Sequence, residues 1–206
     1  MYQTSKGEFI AVDEIALGSG GEGNVYEIKS PEIYLNHVAK IYHPRERTKI
    51  REEKLKYMIA YPPEISDSLT IIFPVELIYK DGDFVGFIML KARGEYDLSV
   101  LTTLSLSKKL PEEWQKRYQR NEAENIKNYL LICYNLAHTL AEFDRNKNYI
   151  LVDFKPENIK VNLAGQISII DLDSIEIVEE GKVLFAADKL SKEYSPPEVK
   201  TLNPEP

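Results

Sequence analysis

The segment Asp153-Phe-Lys155-Pro-Glu-Asn158 puts three side chains of complementary chemistry within six residues. The Asp could accept a hydroxyl proton, and the Lys could balance charge developing on a phosphoryl group. The Asn could offer its amide oxygen to a metal. Asp171 follows Asn158 by thirteen residues, at the end of an apolar run, a distance that suits a hairpin returning a second carboxylate beside the Asn. Hard oxygen ligands that leave positions for phosphate suit Mg2+ rather than zinc. Each acid alone would be a solvated loop charge; order, spacing and context carry the reading.

Two upstream features fit the same chemistry. The motif Gly18-x-Gly20-x-x-Gly23-x-Val25 opens with GSGGEG, four glycines in six residues. Alone it needs to mean no more than a tight turn. Its functional reading is a flap whose backbone N–H groups approach phosphate oxygens with no Cβ in the way. A strand rather than a helix follows, which argues against a dinucleotide fingerprint. Lys40 sits within the apolar strand Val38-Ala39-Lys40, where an ammonium costs desolvation unless it meets an anion or snorkels from an edge. Glu52 shares a helix face with Leu55 and Ile59 and would point inward to pair with it; Glu53 is the rival. The expectation is that Lys40, Asp153, Asn158 and Asp171 meet around one triphosphate.

The elements that must position these groups are also written in the pattern. Strands flank the Gly-rich turn as a hairpin, the second over residues 24–28. His37–Tyr42 reads as a third strand, with Val38, Lys40 and Tyr42 on one face and Ala39 and Ile41 on the other. A charged helix over residues 46–60 carries Leu55, Met58 and Ile59, and Pro62-Pro63 stops it. Strands over 69–79 and 84–91 flank an Asp-Gly hairpin signal. Beyond Ala92 the character turns helical. Residues 112–143 read as one long helix with Ile126, Tyr129, Leu130, Cys133, Leu136, Ala137 and Leu140 at three- and four-residue steps. On that stripe Cys133 reads as a small buried hydrophobe. Short strands over 160–162 and 167–171 and a Pro-rich tail complete the chain. The layout is α+β: a five-stranded sheet with one helix over residues 1–91, then a mainly helical part over 92–206.

Composition narrows the partners. The 206 residues carry 26 Lys and Arg against 33 Asp and Glu, a net charge of −7. That balance argues against a nucleic-acid or anionic-membrane binder, since both need a basic face. No apolar run is long enough for a signal peptide or a bilayer span. The single Cys133 forms no intramolecular disulfide, no Cys/His cluster has zinc spacing, and the three histidines do not converge. His43 reads as a surface or turn residue. A soluble, cytoplasmic protein is expected.

Taken together, the motifs resemble the protein-kinase family from about Glu14 to Glu198. Leu17-Gly18-x-Gly20-x-x-Gly23-x-Val25 resembles its Gly-rich loop, and Val38-Ala39-Lys40 its ATP-anchoring strand. Asp153 to Asn158 resembles the catalytic loop, Asp171 the metal-binding Asp, and Tyr194-Ser-Pro-Pro-Glu198 the motif closing the activation segment. The resemblance implies a kinase-like N-lobe over 1–91, a partial C-lobe over 92–206, ATP and Mg2+ as cofactors, and transfer to a protein Ser/Thr, autophosphorylation included. It implies Val25 and Val38 over the adenine, Met89 as gatekeeper and Leu90 to Ala92 as hinge. Glu52 or Glu53 would pair with Lys40, Lys155 would sit at the transferred phosphate, and Asn158 and Asp171 would hold metal.

The departures carry information too. Asp171-Leu-Asp173-Ser174 replaces the usual Asp-Phe-Gly and is similar to a bacterial subgroup of eukaryotic-like kinases. Asp173 either adds a metal ligand or caps the next turn. Leu151 and Val152 replace His-Arg, which removes the usual partner of an activation-segment phosphate. Lys160 replaces an apolar residue beneath the adenine, so its stem would do that packing. The chain ends eight residues after Glu198, which implies a piece of a longer protein or a minimal kinase completed by a protein partner. Two readings follow: a Mg-ATP-dependent kinase with Asp153 as base, and a nucleotide-binding pseudokinase or scaffold.

Overall fold

The computed structural model describes residues 1–187, 191, 193 and 194. The chain divides into two compact units: Met1–Pro62 with Ile72–Lys91, and Pro63–Ile71 with everything from Ala92 onward.

The first unit is a sheet closed on itself. Strands β1 (Tyr2–Thr4), β2 (Phe9–Ser19), β3 (Gly23–Ser30), β4 (His37–Tyr42), β5 (Pro74–Lys80) and β6 (Asp83–Leu90) form a barrel in the order β1-β2-β3-β4-β6-β5. The five-stranded sheet expected from the sequence is thus a six-stranded barrel. The strand that closes it is β1, which pairs with β2 through Tyr2 opposite Ile10 and with β5 through Thr4 opposite Ile78. Three residues at a terminus show no readable alternation, yet closure removes two open edges. The turn after β1 is fastened to the buried Glu76, which Ser5 reaches by hydrogen bond and Lys6 at 2.8 Å. Burial pushes the Glu76 carboxyl up, but these bonds outweigh it and hold the group below its usual range.

Alternation along β4 sorts its side chains. Ala39 and Ile41 join a core of Ile10, Ile28, Tyr34, Ile78, Val85 and Ile88. Tyr42 takes the other face with the rings of Phe84 and Phe87, each 5.9 Å away. Helix α1 (Lys49–Ala60) begins at Thr48, whose side chain accepts from Arg51 N as an N-cap. Residues 69–73, expected as the start of a strand, are not part of β5. Instead Thr70 O accepts from Ile169 N (2.8 Å) and Leu69 O from the Ser168 hydroxyl (2.6 Å), both in the second unit.

In the second unit, β7 (Tyr96–Asp97), the four-residue helix α2 (Ser99–Thr102), α3 (Glu112–Tyr118) and α4 (Ala123–Phe143) come first. Then follow β8 (Tyr149–Ile150), β9 (Ile159–Val161), β10 (Ile167–Ile169), β11 (Glu176–Glu179) and β12 (Lys182–Phe185). They form two three-stranded sheets, β10-β9-β7 and β12-β11-β8. The expected single helix over 112–143 is broken into α3 and α4. Side-chain amides do the breaking: Asn125 donates to Lys116 O (2.7 Å) and Gln119 O (3.0 Å), and Asn128 donates to Arg117 O (2.8 Å). These satisfy carbonyls that a continuing helix would have used. Trp114, Tyr118 and Tyr129 make successive ring contacts at the resulting corner, the first tilted and the second edge to face.

Ile132, Thr139 and Phe143 are the buried face of α4. The apolar stripe read from the sequence is rotated from that face, so Ile126 and Leu130 are exposed. Cys133 is exposed as well, not buried. No helix among the described residues is long and apolar enough to cross a membrane.

Candidate functional site

In the first unit the Gly-rich turn joins β2 to β3, with Gly18 opposite Val25. Gly20 N donates to Gly23 O (2.9 Å) across the turn. Gly23 lies opposite Tyr42, so close to β4 that a Cβ there would stand 2.3 Å from Ile41 O. No side chain fits that approach without backbone movement. The segment after β4 holds the turn too. His43 N donates to Glu22 O (2.7 Å), the His43 ring Nε2 lies 3.1 Å from Gly20 O, and Arg45 donates to Gly21 O (3.2 Å). His43 is thus a structural clamp on the turn.

Lys40 is buried, between Val25 and Phe87 in the strand register. Its Nζ lies 3.5 Å from Glu22 Oε2 and stands over the rings of Tyr42 and Phe87, 5.4 and 5.9 Å from their centroids. Neither Glu52 nor Glu53 pairs with it. Glu52 accepts from Lys56 (2.6 Å) and the Tyr79 hydroxyl (2.8 Å), while Glu53 is exposed with Lys49 3.9 Å away. Helix phase is the cause. The buried stripe of α1 is Arg51, Lys54, Leu55 and Met58, one residue out of step with the expected face. Burial pushes the Glu52 carboxyl up, and the bonds from Lys56 and Tyr79 more than reverse that.

Val38 and Met89 face each other across β4 and β6, both buried. Val25 on β3 and Leu90 at the end of β6 are half-buried. Ala92 is the first residue of the second unit after β6, also half-buried.

In the second unit the loop after β8 brings Asp153, Lys155 and Asn158 within hydrogen-bonding distance. Lys155 Nζ lies 2.8 Å from Asp153 Oδ2. Asn158 Nδ2 donates to Asp153 O (2.9 Å) and to its Oδ2 (3.2 Å). A short helical turn, Pro156–Asn158, supplies the bend, and Pro156 suits its first position because no N–H is needed there. Ser191 joins this group, a residue the sequence reading did not single out. Its hydroxyl donates to Asp153 Oδ1 and accepts from Lys155 Nζ (3.1 Å). A lone Ser in a polar stretch carries no periodicity that would have marked it. Burial pushes the Asp153 carboxyl up, but bonds from Lys155, Ser191 and Asn158, with the Lys155 charge, hold it below the usual carboxylate range.

The main chain ties this loop to the metal-ligand candidates. Asn158 O accepts from Ile170 N (2.8 Å), which sets Asp171 one residue beyond the contact. Asp171 adopts a left-handed backbone (φ 62°), a conformation Asp tolerates better than most residues. It opens the turn Leu172–Ser174, where Asp173 is buried. A carboxylate oxygen of Asp171 and one of Asp173 come within 4.8 Å of each other. The Asn158 amide nitrogen is committed to Asp153, so its oxygen is the atom that remains for a cation. This all-oxygen donor set fits Mg2+. Lys160, in β9, pairs with Asp97 of β7 at 2.6 Å. Of the closing motif, Tyr194 is described; residues 195–198 lie outside the described residues.

The sequence matches no family model. No curated protein matches it either. Solved structures do. A rhoptry kinase from Toxoplasma gondii aligns with a TM-score of 0.63 at 14% identity, covering 97% of this chain and 56% of that one. ROP2 from the same organism, a virulence factor with a protein-kinase fold and no enzymatic activity, aligns at 0.62 with 15% identity, covering 97% and 59%. The chain therefore spans less than two thirds of either neighbour. At these identities the likeness establishes the fold: it is protein-kinase-like.

Proposed function

We propose that this chain binds Mg-ATP and transfers the γ-phosphoryl group to a Ser or Thr hydroxyl of a protein, its own chain included. The observation that carries the reading is the group around Asp153. Its carboxylate is ionised, accepts a serine hydroxyl, and has the Lys155 ammonium beside it. A substrate hydroxyl in the position of Ser191 Oγ would pass its proton to Asp153 as its oxygen bonds to the γ-phosphorus. The bond from that phosphorus to the bridging oxygen breaks, and ADP leaves. Lys155 would balance charge on the moving phosphoryl group, and Lys40 would contact the ATP phosphates, with the Gly18–Gly23 backbone over them. Val25, Val38, Met89, Leu90 and Ala92 would line the adenine side. Asn158 and Asp171, with Asp173 beside them, would hold Mg2+, which when bound neutralises phosphate charge. Glu52 and Glu53, bound elsewhere, have no part in this assignment.

An ATP-using enzyme fits the cytoplasm, where ATP is supplied, and the Asp171-Leu-Asp173-Ser174 stretch favours the bacterial subgroup of kinases. A second reading has one specific observation in its favour: ROP2 has this fold and no enzymatic activity. On that reading the chain binds nucleotide as a scaffold.

Transfer from γ-labelled ATP to the chain itself and to a generic protein substrate separates the two. The enzyme reading expects Mg-dependent label that falls about 10²–10⁴-fold in Asp153→Asn. Label no higher in the wild type than in Asp153→Asn, with ATP still bound, decides for the scaffold.

A further inference from the structure

We propose that Glu22, carried on the Gly-rich turn, is a carboxylate that positions Lys40, and that Arg51 of α1 positions Glu22. The inference builds on the reading of Lys40 as a phosphate-contacting lysine. Its first support is burial. Glu22, Lys40 and Arg51 side chains are 5, 6 and 8% exposed. A glutamate in a glycine turn reads as solvated, and sequestering its charge is unfavourable unless cations await it. Two do. Oε2 faces Lys40 Nζ at 3.5 Å and Oε1 accepts from Arg51 Nη2 at 3.0 Å.

The second support is that each member is fixed independently. Arg51 Nη1 also donates to Glu46 Oε2 (3.1 Å), and its guanidinium lies 4.8 Å from the centre of the Tyr42 ring. Lys40 Nζ is 5.4 Å from the same centre. Tyr42 therefore organises both cations, and Glu22 links them. The backbone of Glu22 is anchored in turn by His43 N, and Gly23 is paired with Tyr42. Arg51 grips Glu22 more closely than Glu22 grips Lys40, as expected of a chain in which the arginine orients the carboxylate and the carboxylate orients the amine.

The consequence concerns control. Lys40 is steadied by the turn that would cover the phosphates, while the acidic residues of α1, Glu52 and Glu53, are bound elsewhere. Movement of the turn therefore acts on Lys40 through Glu22, which couples flap position to lysine position. Arg51 makes α1 a support for that turn and not the source of the pairing charge.

Acylation of Lys40 by an N-hydroxysuccinimide ester, in the nucleotide-free chain, tests the positioning directly. The readout is the rate at Lys40 by mass spectrometry relative to the exposed Lys49 and Lys116. The rate is expected to rise about tenfold in Glu22→Gln and in Arg51→Met, as for the loss of a hydrogen bond to a charged group. It should stay near wild type in Glu52→Gln and Glu53→Gln. Glu22→Asp, which keeps the charge, should fall in between and replaces Glu22→Gln if that variant does not fold. Calorimetric titration should give a Mg-ATP dissociation constant weakened in the same order. An unchanged Lys40 rate in both Glu22 variants, or a rise confined to Glu53→Gln, overturns the proposal. A wild type that binds no Mg-ATP while Glu22→Gln still alters labelling removes the nucleotide reading and leaves the positioning role standing.

Discussion

The proposed role of Asp153 as base rests on a carboxyl held below its usual range beside a hydroxyl, and the same surroundings fix how it responds to pH. Its carboxyl lies below the usual range because three donors outweigh burial. A group whose folded pKa is depressed stabilises the native state at pH above the ordinary carboxylate value, and loses that contribution as pH falls through the folded value. The stability gap between wild type and Asp153→Asn should therefore be constant above about pH 5 and shrink below about pH 4. Urea unfolding across that range measures it; a gap that grows on acidification contradicts the assignment. At Asp171 the left-handed backbone guides the choice of variant: Asp171→Asn keeps a residue type suited to it, and should fold while losing Mg-dependent nucleotide binding. The grouping of Asp153, Lys155 and Asn158 was legible because a turn of six residues can only bring them together. Glu22 and Ser191 were not, because their partners lie far along the chain.

At the scale of elements, β4 was read to its ends, since alternation and length agree over His37–Tyr42. The hairpins at the Gly-rich turn and at Asp81-Gly82 were legible through turn chemistry, Gly82 having φ +91°. Phase was harder. On α1 the charged residues Arg51 and Lys54 occupy the buried stripe, so an apolar count misplaced the inward face by one position. On α4 the apolar residues are more numerous than the buried positions. The break before α4 was hidden because Asn125 and Asn128 act through side-chain bonds that no hydrophobic period records. Close strand approach gives a sharp prediction here. A Cβ at Gly86 would stand 2.0 Å from Lys40 O, so Gly86→Ala must push β6 off β4. It should destabilise the first unit by about 1–3 kcal/mol, as overpacking does. Equilibrium denaturation checks this, and a loss under a few tenths of a kcal/mol would contradict the packing described.

At the scale of the whole molecule, the chain leaves its first unit at Pro63, returns at Ile72 and leaves again at Ala92. That excursion, invisible to a reading by composition, lets Leu69 and Thr70 bond to β10 while β5 stays in the barrel. The residues proposed to act on nucleotide are divided in the same way, Lys40 in the first unit and Asp153, Asn158 and Asp171 in the second. The measurement that bears most directly on this division is a thermal-shift titration with ATP, with and without Mg2+. At a hundredfold excess over its dissociation constant, a ligand stabilises by about 2.7 kcal/mol. The wild type should show a Mg-assisted shift of that order, Asp153→Asn should retain it, and Lys40→Ala and Asp171→Asn should each lose it. A wild type with no shift, or a shift that survives in both Lys40→Ala and Asp171→Asn, would contradict the account.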